Sequence, residues 1–148
     1  MSNELRAFAF DILQDSHVMS LGTVDRDGVW VAELVFVHDD HFNLYWISKP
    51  SVRHSRAIAL NPTAACTITA SWETDNERSL QLAGTAVQVD GRPQELEDKL
   101  NAKVGHDASD STDALVGEGY VWYVFTPTII ELTQSIPFGY ERQSVPLP

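Results

Sequence analysis

The sequence predicts a mainly β protein, a closed or half-closed barrel of about six antiparallel strands with short flanking helices. Several segments are rich in β-branched and aromatic residues and are bounded by turn residues, as strands are. Most of these segments follow one another without room for a parallel crossover, which favours antiparallel pairing. The chain has 148 residues, of which 43% are hydrophobic and 21% charged. That length suits one domain with a sizeable core, so a single domain spanning 1–148 is expected.

The first part of the chain is predicted to form a helix and two strands. The helix is expected over 4–14, because its apolar residues share one helical face. A strand is expected over 18–24, followed by a turn at 25–28 whose glycine can adopt positive φ. The next strand, 29–37, carries apolar residues on both faces. It is therefore expected at the centre of the sheet or at a subunit interface.

The remaining elements are predicted to be strands interspersed with short helices. A polar turn at 38–41 and a strand at 42–47 should complete a hairpin with the preceding strand. A helix is expected over 51–60, with Ser51 as its N-cap. The further elements are strands at 63–70 and 79–89, a helix at 93–104, a surface loop at 106–118, a strand at 120–133 and an irregular tail at 136–148.

The charge of the chain excludes some classes of partner. Ten Lys and Arg residues against 21 Asp and Glu residues give a formal net charge of −11. Nucleic acids and anionic membranes need a broad cationic face, so neither is an expected partner. The chain lacks an apolar run of about 18 residues and a signal-like start, so a cytoplasmic protein is expected. The single cysteine, Cys66, cannot form an intrachain disulfide and is expected to be a packed small residue.

Positive charge is concentrated in one segment of this acidic chain. Residues 42–72 contain no Asp or Glu, and the same segment carries Lys49, Arg53, His54 and Arg56. A locally basic segment in an acidic protein suggests a small anionic ligand. The alternative is that buried strands simply lack acidic residues, which would explain the flanks of the segment but not its cationic middle.

The middle of this segment has the composition of a phosphate site. Ser48 and Lys49 end a predicted strand, Ser51 is placed to cap the next helix, and Arg53 and His54 fall in its first turn. The first N–H groups of a helix have no partner within the helix and carry partial positive charge, so they can bind a phosphate together with hydroxyl and cationic side chains. The alternative is an exposed basic helix start that binds nothing.

Two further groups of residues carry side chains suited to chemistry. His38 and His41, with Asp39 and Asp40, have side chains that bind metals, but a polar hairpin turn explains them as well, and no metal site is predicted. Glu33, on an apolar strand face, has the chemistry of an acid or base. A partnered carboxylate at an interface is the favoured interpretation of Glu33.

Three short runs resemble one protein family. They are Leu-Tyr-Trp-Ile-Ser at 44–48, Ser-Val-Arg-His at 51–54 and Ala-Leu-Asn-Pro at 59–62. Together they resemble the pyridoxamine 5′-phosphate oxidase-like superfamily of FMN-binding split barrels, and the likeness covers most of 4–133. The tail at 137–142 is similar to that of a small bacterial subgroup. The resemblance implies a split β-barrel and a homodimer with FMN at the subunit interface.

The resemblance also implies which residues hold the cofactor. Arg53 and His54 match the family's pair at the FMN phosphate, with Ser48 and Lys49 beside it. Gln81 matches a glutamine that contacts the flavin ring; the alternative is an amide paired with backbone at a sheet end. As a buried amide, Gln81 would need hydrogen-bond partners.

The backbone of 31–35, including Glu33 and Val35, is expected to support the ring. The tail around Phe138 is expected to cover the partner's site. Val35 stands where the parent oxidase has a lysine, so one phosphate cation is absent from this sequence.

The function expected from these observations is FMN binding, with flavin-dependent oxidoreductase activity on an unknown substrate. The C-terminus lacks the Trp-Arg-x-x-Arg-Leu-x-Pro-like motif of the parent oxidase, which argues against a true pyridoxamine 5′-phosphate oxidase. The alternative is a non-enzymatic protein that binds a flavin, haem or nucleotide for storage or sensing.

Overall fold

The computed structural model of the chain describes residues 2–104 and 112–148, which form eight strands and five helices. In chain order the elements are α1 (Ser2–Asp15), β1 (Val18–Asp25), β2 (Gly28–Val35), β3 (Val37–His38), β4 (Leu44–Ser48), α2 (Arg53–Leu60), β5 (Thr63–Glu73), β6 (Asn76–Gln88), α3 (Gln94–Val104), α4 (Thr112–Gly117), β7 (Val121–Gln134), α5 (Ser135–Phe138) and β8 (Gln143–Ser144).

The strands form one antiparallel sheet that closes into a barrel. The order across the sheet is β2-β1-β5-β6-β7-β4-β3, and β8 pairs with β7. All strand pairs are antiparallel. The two end strands, β2 and β3, are consecutive in the chain and separated only by Phe36. The chain therefore joins the two ends of the sheet, and the mainly β split-barrel prediction with flanking helices is confirmed.

The core lies between the inner faces of the strands and α1. Helix α1 contributes Leu5, Ala9, Ile12 and Leu13, which recur at helical spacing and are buried. The largest side chains with less than 2% exposure are Trp46, Trp122, Phe36, Phe42 and Phe125. A second, smaller cluster lies under α3 and consists of Val37, Leu96, Leu100 and Trp122.

Of the two positions predicted for the strand over 29–37, the centre of the sheet is wrong, and the subunit interface stays a prediction. In the described part of the chain β2 pairs with β1 alone, and the segment divides at Phe36 into β2 and β3. Val29 and Val31 are 72% and 61% exposed. Apolar residues on both faces therefore mark an edge strand whose outward face is open in the single chain.

Three local predictions also need correction. Ser51 is not the N-cap of α2, because Val52 holds that position and caps it with no side-chain hydrogen bond. Residues 112–117 form α4 where a surface loop was expected, and 105–111 lie outside the described residues. The tail is partly ordered by pairing, since β8 pairs with β7 and Arg6 donates hydrogen bonds to the carbonyls of Pro146 and Leu147.

None of the described helices is long and apolar enough to cross a membrane.

Cys66 is buried in the core as expected, with 4% exposure. Burial raises the pKa of its thiol to about 12. The side chain therefore behaves as a small packed group and not as a reactive thiolate.

Candidate functional site

The segment of residues 48–54, here called the basic turn, connects the end of β4 to the start of α2. Within it the Ser48 hydroxyl and the Nε2 atom of His54 lie 2.8 Å apart and form a buried hydrogen bond. Burial lowers the pKa of His54, so this imidazole is mainly neutral at pH 7. His54 therefore contributes a hydrogen bond beneath the turn, and the permanent positive charges are Lys49 and Arg53.

The Arg53 side chain is held in place by two residues of the β1–β2 hairpin. Its Nε and Nη2 atoms donate to the carboxylate of Asp25 at 2.8 and 3.1 Å. Its guanidinium carbon lies 4.4 Å from the ring centroid of Trp30. The hydrogen bond from Arg53 is the main cause that lowers the pKa of Asp25, which stays ionised. Because a guanidinium has five donors, the pair orients Arg53 and leaves three N–H groups without a hydrogen-bond partner among residues 2–104 and 112–148.

Lys49 and Ser51 complete the basic turn at its surface. The Lys49 ammonium lies 5.4 Å from the ring centroid of Tyr120, and Ser51 is exposed. The structure thus brings Ser48 and His54 into contact, whereas the side chains of Arg53 and Lys49 point to separate neighbours. The five predicted residues share one turn, but their side chains do not converge on one point.

Gln81 lies on the outer face, defined here as the side of β2, β1, β5, β6 and β7 that points away from the core. Ser20 pairs with Glu33 and with Thr67, and Thr67 pairs with Gln81, so the four residues form one row across the sheet. Three strand spacings place Gln81 about 14 Å from Glu33. The expectation of a buried amide is wrong, because Gln81 is exposed, whereas its neighbours Leu80 and Leu82 on β6 point into the core.

A groove of about 270 Å³, here called the outer groove, surrounds Gln81. Its lining carries hydroxyl groups from neighbouring strands, an aromatic ring and a cation. Trp72 is 70% exposed and presents an open ring surface. The lining residues besides Gln81 are Thr67, Thr69, Trp72, Ser79, Leu80, Thr133 and Arg142. An aromatic surface beside an amide and several hydroxyls suits a flat polar heterocycle.

Glu33 and Val35 occupy different environments along β2. The exposed Glu33 carboxylate accepts a hydrogen bond from the Ser20 hydroxyl. This geometry agrees with a partnered carboxylate at a surface. Val35 is half-buried and packs against the cluster under α3, so its side chain is used in packing. The structure does not bring the two side chains together with the basic turn.

The outer face carries exposed apolar residues on one side of the polar row, the side towards Val24 and the start of β2. Val24, Val87 and Ile129 are 40%, 48% and 54% exposed, in addition to Val29 and Val31 on β2. The middle of this face is lined by small residues, because Gly22 pairs with Ala65 and Ala65 with Ala83. A single chain thus leaves a broad, shallow apolar surface open to solvent.

Sequence reasoning missed four residues that shape these sites. Asp25 and Trp30 orient Arg53 from the β1–β2 hairpin. They are distant from Arg53 in the sequence, so no local pattern links them to it. Trp72 and Arg142 line the outer groove from β5 and from the tail. The glycine turn next to Asp25 was recognised, but its contact with α2 depends on the closure of the barrel.

The polar turn at 38–41 has a structural role. The Asp39 carboxylate accepts hydrogen bonds from the backbone N–H groups of His41 and Asn43 and from the Tyr45 hydroxyl. These bonds close the β3–β4 hairpin.

Phe138 packs edge to face on Phe8 of its own chain, with ring centroids 5.8 Å apart. Phe138 therefore has a packing partner within its own chain, and the expectation that the tail covers the partner's site stays a prediction.

These features define the class of the protein: a split β-barrel with flanking helices and a basic strand-to-helix turn. Residues 5–133 match the family model of pyridoxamine 5′-phosphate oxidase, and the chain belongs to this family. No curated protein sequence matches the chain at a significant level.

Solved structures share the fold at low sequence identity. General Stress Protein 26 from Bacillus anthracis str. Sterne is 20% identical, with a TM-score of 0.67 over 96% of this chain and 99% of that one. The haem binding protein from Mycobacterium smegmatis is 17% identical, with a TM-score of 0.67 over 95% of this chain and 57% of that one. HutZ, the haem storage protein from Vibrio cholerae, is 15% identical, with a TM-score of 0.62 over 80% and 87%. At these identities the likeness shows the fold alone.

Proposed function

We propose that the chain is an FMN-binding protein that forms a homodimer and holds the flavin at the subunit interface. The proposed unit is a single domain spanning 1–148, and its location in the cytoplasm remains a prediction. Membership of the pyridoxamine 5′-phosphate oxidase family supports a flavin. The observation that carries the proposal is the orientation of Arg53 at the start of α2 by Asp25 and Trp30.

The proposed phosphate site draws its donors from separate side chains of the basic turn, which a bound phosphate would bring together. Arg53 offers its three remaining N–H groups, and Lys49 and Ser51 add an ammonium and an exposed hydroxyl. The first N–H groups of α2 add partial positive charge at the same end of the helix. In this proposal the buried Ser48–His54 pair positions the turn from beneath and does not itself carry the anion.

The outer groove supplies groups for the flavin ring. Gln81 offers both a donor and an acceptor to a pyrimidine-like edge, and Trp72 offers an aromatic surface. The backbone of β2 near Glu33 and Val35 would border the ring where a second protomer covers the outer face. When bound, the flavin would supply hydride or electron transfer, while the protein provides binding and orientation.

The exposed apolar residues of the outer face support the homodimer. Full burial of a valine side chain stabilises by roughly 1.5–3 kcal/mol, and Val29 and Val31 retain most of their surface in the single chain. A second copy of the same face would bury them by isologous pairing. A dimer would have twice the 16.5 kDa of one chain.

A flavin titration tests the proposal. Quenching of FMN fluorescence is measured with the wild type, with Arg53→Ala and with Arg26→Ala, which removes the same charge from an exposed position of the β1–β2 turn. Loss of charge-assisted hydrogen bonds of about 1.5–3 kcal/mol should raise the dissociation constant of Arg53→Ala about 10- to 150-fold. The Arg26 variant should bind as the wild type does. Equal affinities for all three proteins would place the phosphate elsewhere.

Oxidoreductase activity is tested separately from binding. The flavin-loaded protein is mixed with NADH or NADPH without oxygen, and the flavin absorbance near 450 nm is followed. Bleaching supports a flavin-dependent oxidoreductase whose second substrate is then to be found. Stable absorbance with both donors argues against an NAD(P)H-dependent reductase.

The second candidate function is non-enzymatic binding of haem, flavin or a nucleotide for storage or sensing. Two proteins of the same fold are a haem binding protein and a haem storage protein, which favours haem within this alternative. Absorbance separates the two cofactors, because flavin has bands at about 370 and 450 nm and haem has one strong band near 400 nm. A titration in which haem binds and FMN does not would favour the alternative.

A further inference from the structure

A second pocket lies at the end of the barrel away from the basic turn, between the end of α1, β3 and α3. Its volume is about 410 Å³, which falls in the range of small-molecule sites. Leu13 and Val37 provide apolar walls, and Gln14, His38, Lys99 and Lys103 provide the polar groups. No carboxylate is among the described residues that line this α1–α3 pocket.

The two lysines are on one face of α3, four residues apart, and both reach back to the barrel. The Lys99 ammonium donates to the carbonyl of His38 at 3.1 Å. The Lys103 ammonium donates to the carbonyl of Phe36 and lies 4.0 Å from the Phe36 ring centroid. Neither ammonium forms an ion pair with a carboxylate of residues 2–104 or 112–148. Two like charges are therefore held together without a described counter-ion.

The electrostatics of the neighbours show that this arrangement is costly. Burial lowers the pKa of Lys103 to about 8. Burial is also the main cause that lowers the pKa of His38. The hydrogen bond with the Asp39 carbonyl and the Asp39 charge raise it, whereas the charges of Lys99 and Lys103 lower it. A partly buried ammonium and an imidazole beside two positive charges gain stability if an anion is placed among them. The chain has only 10 Lys and Arg residues, and two of them line this one pocket.

We propose that the α1–α3 pocket binds a small organic anion, a carboxylate or phosphate with a compact apolar part, through Lys99, Lys103 and His38. The apolar walls receive the body of the ligand, and the two ammonium groups bind its charged end. The pocket is separate from the basic turn. His38 pairs with Leu44 at one end of β4, and Ser48 is at the other end, about 13 Å away along the strand.

Binding of benzoate and phenyl phosphate, with neutral benzamide as the isosteric control, tests the proposal. Dissociation constants are measured by calorimetry on the wild type, and amide chemical shifts locate the site. The expected result is that at least one anion binds about 10-fold or more tightly than benzamide and shifts the amides of Val37, Lys99 and Lys103. The two anions distinguish a carboxylate site from a phosphate site.

The double variant Lys99→Met/Lys103→Met should lose about 10-fold or more of the anion affinity and keep its affinity for benzamide. Arg26→Gln, which removes one charge elsewhere, should bind the anions as the wild type does. FMN affinity should be unchanged in the double variant, which keeps this test independent of the flavin proposal. If the double variant does not fold, Lys99→Met alone should still weaken anion binding about threefold or more.

The proposal is overturned if neither anion binds the wild type more tightly than benzamide. It is also overturned if removal of the lysines leaves anion affinity unchanged. In either case the two lysines only fasten α3 to the barrel, and the variants would lose stability without any change in ligand preference.

Discussion

Lys103→Met should change how the stability of the protein depends on pH. In the unfolded chain the Lys103 amine keeps its proton up to about pH 10.5, whereas in the folded protein its pKa is about 8. Between these two values the unfolded state binds more protons, so the free energy of unfolding rises with pH. Below pH 8 the amine is protonated in both states, and the full cost of burying the charge is present.

The size of the effect follows from this pKa difference. A difference of about 2.5 units corresponds to an upper limit of about 3 kcal/mol. Because the Lys103 side chain is only partly buried, solvent screening reduces the expected effect to about 1–2 kcal/mol. Methionine keeps the packing against Phe36 and has no charge, so the variant should lack this pH dependence.

Urea unfolding at pH 7.5 and pH 10 measures the effect. The wild type should gain about 1–2 kcal/mol relative to Lys103→Met between the two pH values. Lys99→Met, at an exposed position of the same helix, is the matched control. Groups that titrate in all three proteins cancel in the comparison. Parallel pH profiles for the wild type and Lys103→Met would refute the assignment of a desolvated ammonium at the α1–α3 pocket.

Three further predictions concern the interface and the core. Val31→Glu should convert the proposed dimer to a 16.5 kDa monomer in sedimentation, whereas Ala7→Glu on exposed α1 should not. A dimeric Val31→Glu variant would argue against the outer face as the interface. Gly84→Ala should destabilise the fold by about 3 kcal/mol in urea unfolding, because its Cβ would lie 2.1 Å from a backbone oxygen of β7. Gly22→Ala, whose Cβ would lie 3.5 Å from the nearest atom, should cost less than about 1 kcal/mol, and equal costs would contradict the close approach. Cys66 should resist thiol reagents at pH 8 until denaturant is added, and rapid labelling of the native protein would contradict its burial.

The sequence predicted most of the elements because their periodicity is local. The spacing of Leu5, Ile12 and Leu13 identified α1, and β-branched runs identified the longer strands. The basic turn was also predicted, since its residues are adjacent in the chain. Two-residue strands such as β3 and β8 leave too short a pattern to recognise, which explains the count of six instead of eight.

Tertiary contacts were beyond the reach of sequence patterns. The bond between Arg53 and Asp25 joins residues 28 positions apart, and it forms only when the barrel brings α2 against the β1–β2 hairpin. The alternation of residues along a strand correctly predicted that Gln81 and Ala83 share one face of β6. Alternation alone does not show which of the two faces points into the core. In the sequence, the lysines of the α1–α3 pocket have the pattern of an ordinary exposed helix face. Their contacts with the β3 region depend on the tertiary fold.

A crystal structure of the protein with FMN tests the central claim most directly. The claim is that a turn held by Asp25 and Trp30 presents Arg53 to a dianionic headgroup. The expected result is phosphate density beside the Arg53 guanidinium and ring density over Gln81, between two protomers. Phosphate density away from the start of α2, or a basic turn filled by the protein's own side chains at saturating FMN, would contradict it.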